Sequence, residues 1–495
     1  MSKIIIQNGN MCELDLPLKF AQKLYNEFAI RHPNAFYLRT RQRGMQNWDG
    51  KIHYITKTGQ FKIGLLPKVY DMCIEMGIKP KVVDMRQPLP KVSKVVTNIG
   101  KYKLRPEQER AVKSVINNRV GDIPFQIGVL DLTVNFGKTL IMTSLYLSYK
   151  KQLKTLLITN DSDWLNQARE EFKQYLPGED ITFVQGKVLN WSNFTIGMVQ
   201  SISRNMRFYQ KELSQIDMVL VDEADQGGSK QYQNVITRLF NTRIRIGLSG
   251  TIYMSKLAKD KVKNMNLECF FGKVIAEFKL KDSIKKGYST KTVVKMVPGK
   301  PWYGNWESDC ISYKEIYDDS ITNCYTAWLM AYNRLLWNLN QGRYPALVVC
   351  KHIAHCENLY KFFKKKLGDA YNIAYVHVNT PSKLRQQIMK DFREGKIDIL
   401  VSTTIIARGK NFPKLRYLLN AASMDSQEKS IQFLGRLVRT DESKNKVYLD
   451  DLHYPGPYLD RHGKHRKQYY QRQELKVILL DKLWKKHPNH SLIKS

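Results

Sequence analysis

No apolar run in this 495-residue chain approaches the roughly 20 residues that a membrane-spanning helix needs. The opening stretch MSKIIIQNGNMCELDL lacks the long apolar core and small-residue cleavage site of a secretory leader. The chain is therefore expected in the cytoplasm of the cell that makes it, with no membrane partner. Cysteine is scarce: seven residues, an odd count, spread from Cys12 to Cys356 without a C-x-x-C pair. That argues against a disulfide framework or a zinc ribbon and for reduced thiols. Acidic residues are few as well, 45 against 80 Lys and Arg, which leaves a net charge of +35. A chain this basic usually meets a polyanion, and nucleic acid comes first.

What is present is organised. The length suggests about three domains. Residues 1 to about 95 mix short β-like runs (KIIIQ, KIHYI) with helical patterns, and QPLPKV (87–92) reads as a linker. Beyond it, apolar runs such as TLLIT, MVLVDE and IRIGLSGT alternate with helical segments. Runs that are apolar on both faces are those of central strands in a parallel sheet. The pattern lapses near residues 285–315 and resumes with PALVVCK, NIAYVHV and DILVST, so two α/β domains lie in tandem. From Gly456 onward ten Lys and Arg stand against three Asp and Glu, and this part reads as a basic tail. The segment KHIAHC (His352, His355, Cys356) has the residue types of a metal site but no partner cluster nearby, and reads as strand, turn and helix.

The stretch VLDLTVNFGKTL (129–140) ends as a phosphate-binding loop ends, with Gly137, Lys138 and Thr139. In such a loop, backbone N–H groups at a strand-to-helix turn cradle phosphates, the lysine reaches the β and γ phosphates and the hydroxyl holds Mg²⁺. The first glycine of the usual pattern is replaced by Leu132. Downstream, MVLVDEADQ delivers Asp222 and Glu223 at the carboxyl end of an apolar strand, where open α/β sheets bind ligands. An aspartate there holds Mg²⁺ and a glutamate activates water. In IQFLGRLVRT, Gln432, Gly435, Arg436 and Arg439 are spaced to share one helix face, which suits two guanidiniums to a γ-phosphate.

Taken together these motifs resemble the superfamily 2 helicases, from about residue 100 to 450. Gln108 in LRPEQERAV is similar to the Q motif that reads adenine; Gly137, Lys138 and Thr139 match motif I; Asp222, Glu223, Ala224 and Asp225 spell motif II as DEAD. Ser249, Gly250 and Thr251 stand for motif III, which couples hydrolysis to strand movement. ALVVCKHIAHCENL resembles motif IV, and LVSTTIIARGKNFP resembles motif V through Thr403, Arg408 and Gly409. Departures occur: Val134, Asn135 and Phe136 replace Thr, Gly and a small residue in motif I; Asn160, Asp161, Trp164 and Gln167 stand at motif Ia; Gly250 replaces alanine and Asn411 replaces aspartate. The segment FYLRTRQRGMQNWDGKIHYI (36–55) resembles the first domain of the UvsW-like group of phage recombination helicases.

The resemblance implies two tandem RecA-like parallel-sheet domains after a small α+β domain. The expected boundaries are 1–95 for the nucleic-acid-binding N-terminal domain, 96–295 and 296–455 for the two RecA-like domains, and 456–495 for the tail. It implies ATP and Mg²⁺ as cofactors, with Thr139 and Asp222 on the metal and Gln108, Gly137, Lys138, Thr139 and Gly409 on the nucleotide. Catalysis would fall to Lys138, Asp222, Glu223, Gln432, Arg436 and Arg439. Nucleic acid would meet Arg39, Arg41, Arg43, Trp48, Gln167, Gln200 and Thr403, with Ser249 and Thr251 as coupling residues. On residue types alone, Arg39, Arg41 and Arg43 suit phosphates, whereas Trp48 suits either base stacking or a small hairpin core. The implied activity is ATP-driven remodelling of branched DNA (forks, junctions, R-loops) by a monomer in the host cytoplasm, with a single-strand-binding or recombination protein as a possible partner. The alternatives are a DEAD-type RNA helicase and a nucleic-acid binder that no longer hydrolyses ATP.

Overall fold

The computed structural model describes residues 2–41, 45, 47–186, 188–250, 252, 261–299, 312–407 and 412–480. Arg43, Thr251, Arg408, Gly409 and Asn411 lie outside the described residues. The chain forms two compact units, Met1–Phe278 and Lys279–Ser495.

The first unit opens with strands β1 (Lys3–Ile6), β2 (Met11–Asp15), β3 (Ala29–Arg31), β4 (Lys51–His53), β5 (Gln60–Lys62) and β6 (Lys81–Asp84). Four of them make a sheet in the order β5-β2-β1-β6, with β1 antiparallel to β2 and parallel to β6. β3 and β4 form a separate antiparallel pair flanking helix α1 (Ala35–Arg41). The larger sheet is built from β7 (Ile127–Leu132), β8 (Thr155–Thr159), β9 (Ile181–Gln185), β10 (Val188–Leu189), β11 (Phe194–Met198), β12 (Met218–Asp222), β13 (Ile244–Ser249) and β14 (Val274–Phe278). Its order is β10-β9-β11-β8-β12-β13-β7-β14, and every pairing is parallel except that of β9 with the short edge strand β10. β7, β8, β12 and β13 are buried along their whole length, which is why their sequences are apolar on both faces.

The two sheets of this unit share one core. Ile4, Ile6, Phe61 and Val69 belong to the same apolar cluster as Ile127, Ile158 and Val219. The join is also polar. Arg245 on β13 is fully buried and donates to the Gly9 carbonyl at 2.6 Å, to Asn10 Oδ1 at 2.8 Å and to the Phe270 carbonyl at 3.2 Å. Burial pushes its guanidinium down to about 9. Gly9 lies so close to the 239–242 loop that a Cβ would come within 2.6 Å of the Leu239 carbonyl oxygen, which is why this position takes glycine.

The second unit carries β15 (Lys291–Pro298), β16 (Ala346–Cys350), β17 (Ile373–Val376), β18 (Ile399–Thr403), β19 (Tyr417–Asn420), β20 (Lys446–His453) and β21 (Val477–Leu479). All pair in parallel in the order β17-β18-β16-β19-β20-β15-β21. Each unit thus carries an α/β layer of RecA-like type, and in the first unit a small α+β layer precedes it.

The expected basic tail is corrected. Leu459–Arg472 is a helix, and β21 extends the sheet beyond β15. Arg466 of that helix is fully buried, donating to Asp451 Oδ1 at 2.9 Å and to the Met424 and Leu452 carbonyls. A charge count cannot tell a solvated lysine from an arginine committed to an internal carboxylate; here the second kind decides. Among the described residues, no helix is long and apolar enough to cross a membrane.

Candidate nucleotide-binding site

Motif I turns from β7 into helix α2 (Lys138–Ser148), and the backbone of that turn explains its unusual residues. Gly137 caps the helix at φ +81, and a Cβ there would sit 2.5 Å from Gln108 Nε2. Asn135 has φ +66, in the left-handed region that asparagine tolerates best after glycine. It therefore stands in for the usual glycine at little cost. Phe136 is buried, tilted against Phe278 at 4.7 Å and covered by the Arg105 guanidinium at 5.5 Å. A wedge of this size replaces the usual small residue because the loop is held from outside.

Gln108 and Arg105 do the holding. Gln108 Nε2 donates to the Phe136 carbonyl at 2.7 Å, and its Oε1 accepts the Arg105 N–H at 2.8 Å. Arg105 Nη2 reaches the same Phe136 carbonyl at 2.6 Å. Gln108 is buried, so it acts here on the loop backbone, a role that its resemblance to an adenine reader does not convey. Arg105 was not singled out by the sequence; it lies three residues before Gln108, with nothing local to mark it.

The acidic cluster lies at the carboxyl ends of β12 and β13. Asp222 is buried, and burial raises its carboxyl above the usual range, opposed first by the positive charge of Lys138. Its Oδ1 is a buried acceptor without a hydrogen bond among the described residues. A buried oxygen of this kind beside a lysine fits a cation with phosphates attached. Glu223 takes φ +53, rare for a non-glycine residue, as the chain reverses into a short 3₁₀ turn, Ala224–Gln226. Asp225 accepts from Ser249 Oγ at 2.7 Å, which ties motif II to motif III inside the core. The Tyr232 hydroxyl, likewise buried, is surrounded by Glu223, Asp222 and Asp225, and the sequence offered no signal for it.

The glycine of motif III also finds its reason. A Cβ on Gly250 would meet the Leu132 carbonyl oxygen at 2.9 Å and Thr133 Cα at 3.4 Å. Both contacts are backbone, so the alanine common at this position does not fit. Gly250→Ala should destabilise the first unit by about 1–3 kcal/mol, the usual range for overpacking. A chemical-denaturation curve of the first unit's transition that matches wild type would refute this.

The remaining candidates are dispersed. Gln167 is exposed and donates to Glu171 at 2.6 Å, while Gln200 donates to the Asn160 carbonyl at 3.4 Å. Arg39 and Arg41 are exposed on α1, Arg41 lying 5.0 Å over the Tyr37 ring. Trp48 packs at the hairpin, its indole N–H bonded to the Lys51 carbonyl at 2.9 Å and its ring edge-on to His32.

In the second unit Thr403 is buried at the end of β18, and Gln432 and Arg436 lie on helix α3 (Gln427–Leu437). The helix stops there: the Val438 carbonyl accepts from the Thr290 N–H at 2.8 Å and the Arg439 carbonyl from its hydroxyl at 3.0 Å. Arg439 therefore leaves from a loop, and the shared helix face expected for Arg436 and Arg439 does not exist. In the KHIAHC segment His355 is buried with Nδ1 against the Tyr317 hydroxyl at 3.1 Å. Burial drives that imidazole down to about 3. It is a neutral core residue.

Two family models match the chain in succession. Residues 101–254 match the "Type III restriction enzyme, res subunit" and residues 329–441 the "Helicase conserved C-terminal domain". A candidate helicase of Sulfolobus islandicus filamentous virus is 22% identical over 71% of this chain, which spans 64% of that relative's length. Among solved structures, UvsW of phage T4 aligns over 97% of this chain and 98% of its own at 19% identity and TM-score 0.45. A fragment of a candidate type I restriction-enzyme HsdR subunit from Vibrio vulnificus aligns over 76% of this chain and 68% of its own, at 15% identity and TM-score 0.56.

Proposed function

The chain belongs to the superfamily 2 helicases, and from that premise we propose that it is an ATP-driven DNA translocase that remodels forks, junctions and R-loops. The observation that carries the ATPase part is the meeting of Lys138, at the start of α2, with the buried Asp222 at the end of β12. In this reading, backbone N–H groups of the turn and the Lys138 ammonium hold the β and γ phosphates. Thr139 and Asp222 would hold Mg²⁺, which supplies positive charge against the phosphates when bound. Glu223 orients the attacking water and accepts its proton. Arg436 and Arg439 meet the charge that develops on the γ-phosphate. The Ser249–Asp225 hydrogen bond carries the change at motif II into motif III and on to the bound strand.

DNA is favoured as substrate because residues 101–254 match the res subunit of a type III restriction enzyme. The literal Asp222-Glu223-Ala224-Asp225 favours a second reading, an RNA helicase. ATPase rates measured side by side with single-stranded DNA, duplex, fork, R-loop and structured RNA separate the two. Strongest stimulation by the fork or the R-loop is the expected result; strongest stimulation by RNA overturns the DNA reading, and no stimulation by any of them overturns both.

The net charge of +35 makes a further prediction. A footprint that neutralises roughly 6–10 phosphates should lose about 10³–10⁵ in affinity between 50 and 200 mM salt. Fluorescence anisotropy with a labelled fork measures it, and a flat response would mean that the charge does not serve phosphate contact.

A further inference from the structure

The second unit gathers cations at a place that none of the motifs occupies. Near its carboxyl end the helix Tyr325–Leu339 presents Trp337, 42% exposed, against β15. Three cations lie over that indole: Lys295 Nζ at 4.7 Å, Arg343 Cζ at 4.7 Å and Arg334 Cζ at 5.0 Å. Arg343 also lies 3.6 Å over the Tyr448 ring, and Lys446 approaches the same ring at 5.6 Å. Lys446 pairs in register with Lys291 on the neighbouring strand, and both are exposed.

Gathering like charges is costly, and the acid that could offset it is already engaged. Asp450 is buried and accepts from Arg334 at 2.6 and 2.9 Å, from Asn338 and from Tyr417. Among the described residues, Lys295, Arg343 and Lys446 have no ion pair. Burial first, and then Arg334, Arg343 and Lys446, hold the Lys295 ammonium below its ordinary pKa against the pull of Asp450. The aromatic rings stabilise the cluster through cation–π contact but do not neutralise it. Thr403 and the motif IV residue Lys351 lie instead at the carboxyl ends of two other strands of this parallel sheet, β18 and β16.

We infer that this cation cluster is a second nucleic-acid contact, which takes the phosphate backbone of a duplex arm. Cations already cover the indole, so it offers no free platform for base stacking, and the backbone is what the cluster can engage. A duplex sets two rows of phosphates against it, whereas a single strand bound along the motif residues need not reach it. The inference rests on the nucleic-acid reading above and extends it to a second arm of a branched substrate.

The test uses the full chain and two labelled probes, a forked duplex and a single strand, titrated between 50 and 200 mM salt. In the double variant Arg343→Gln/Lys446→Gln the slope of log affinity against log salt for the fork should fall by about two. A fourfold rise in salt then costs the variant about 16-fold less affinity than it costs wild type. The single-strand slope should stay as in wild type, and Arg343→Lys/Lys446→Arg should restore the fork slope. If Arg343→Gln disturbs packing on Tyr448, Lys446→Gln alone, at an exposed strand end, should lower the slope by about one. A fork slope unchanged in a folded variant overturns the site, and so does an equal fall for both probes. A wild-type protein that binds neither probe would instead overturn the nucleic-acid reading itself.

Discussion

Lys138→Ala leaves a folded protein whose ATP turnover is at least 10²–10³ below wild type, the scale on which loss of one charge-stabilising donor is felt. The fold survives because Lys138 is half-buried at the first position of α2, in a turn held by Gln108 and Arg105 through the Phe136 carbonyl. The chemistry does not, for two linked reasons. The ammonium is the positive charge meant for the phosphates, and it is also the first electrostatic influence that favours ionised Asp222 against burial. Without it, the main influence opposing burial at that carboxyl is lost. Circular dichroism together with steady-state ATPase measurement checks both halves. Near-normal hydrolysis by the folded variant would remove motif I from the mechanism.

Arg439→Ala should lower kcat by about 10³–10⁵ while ATP binding weakens far less, because an arginine finger meets charge that arises only in the transition state. Arg439 belongs to the second unit, and Lys138 and Glu223 to the first. Arg439 is also the residue whose carbonyl anchors Thr290, and that backbone bond survives the substitution. Nucleotide affinity by fluorescent-analogue titration, beside kcat with and without DNA, separates the outcomes. A variant that keeps DNA-stimulated turnover would take Arg439 out of the proposed site.

The central strands were legible because burial on both faces leaves β7, β8, β12 and β13 predominantly apolar. The motif residues of the first unit were legible for a related reason: a phosphate loop and a carboxylate pair must follow strand ends. What escaped is what depends on contacts distant in sequence. Arg105 grips a carbonyl 31 residues away, and Arg245 grips one 236 residues away. No local pattern records such a pair. The face-sharing of Arg436 and Arg439 failed because Thr290, far upstream, ends the helix between them. Gly250 and Asn135 looked like lapses from a pattern, and both follow from backbone geometry that spacing cannot express.

The buried Arg245 has a mechanical meaning. Its three acceptors lie on the N-terminal layer and on Phe270, with the Gly9 backbone pressed to the 239–242 loop beside it. Cutting away the first 95 residues would strip two of the three acceptors from a guanidinium on a core strand, so this layer is no detachable accessory. It shares one compact unit with the phosphate loop, so the two cannot part without opening a common core.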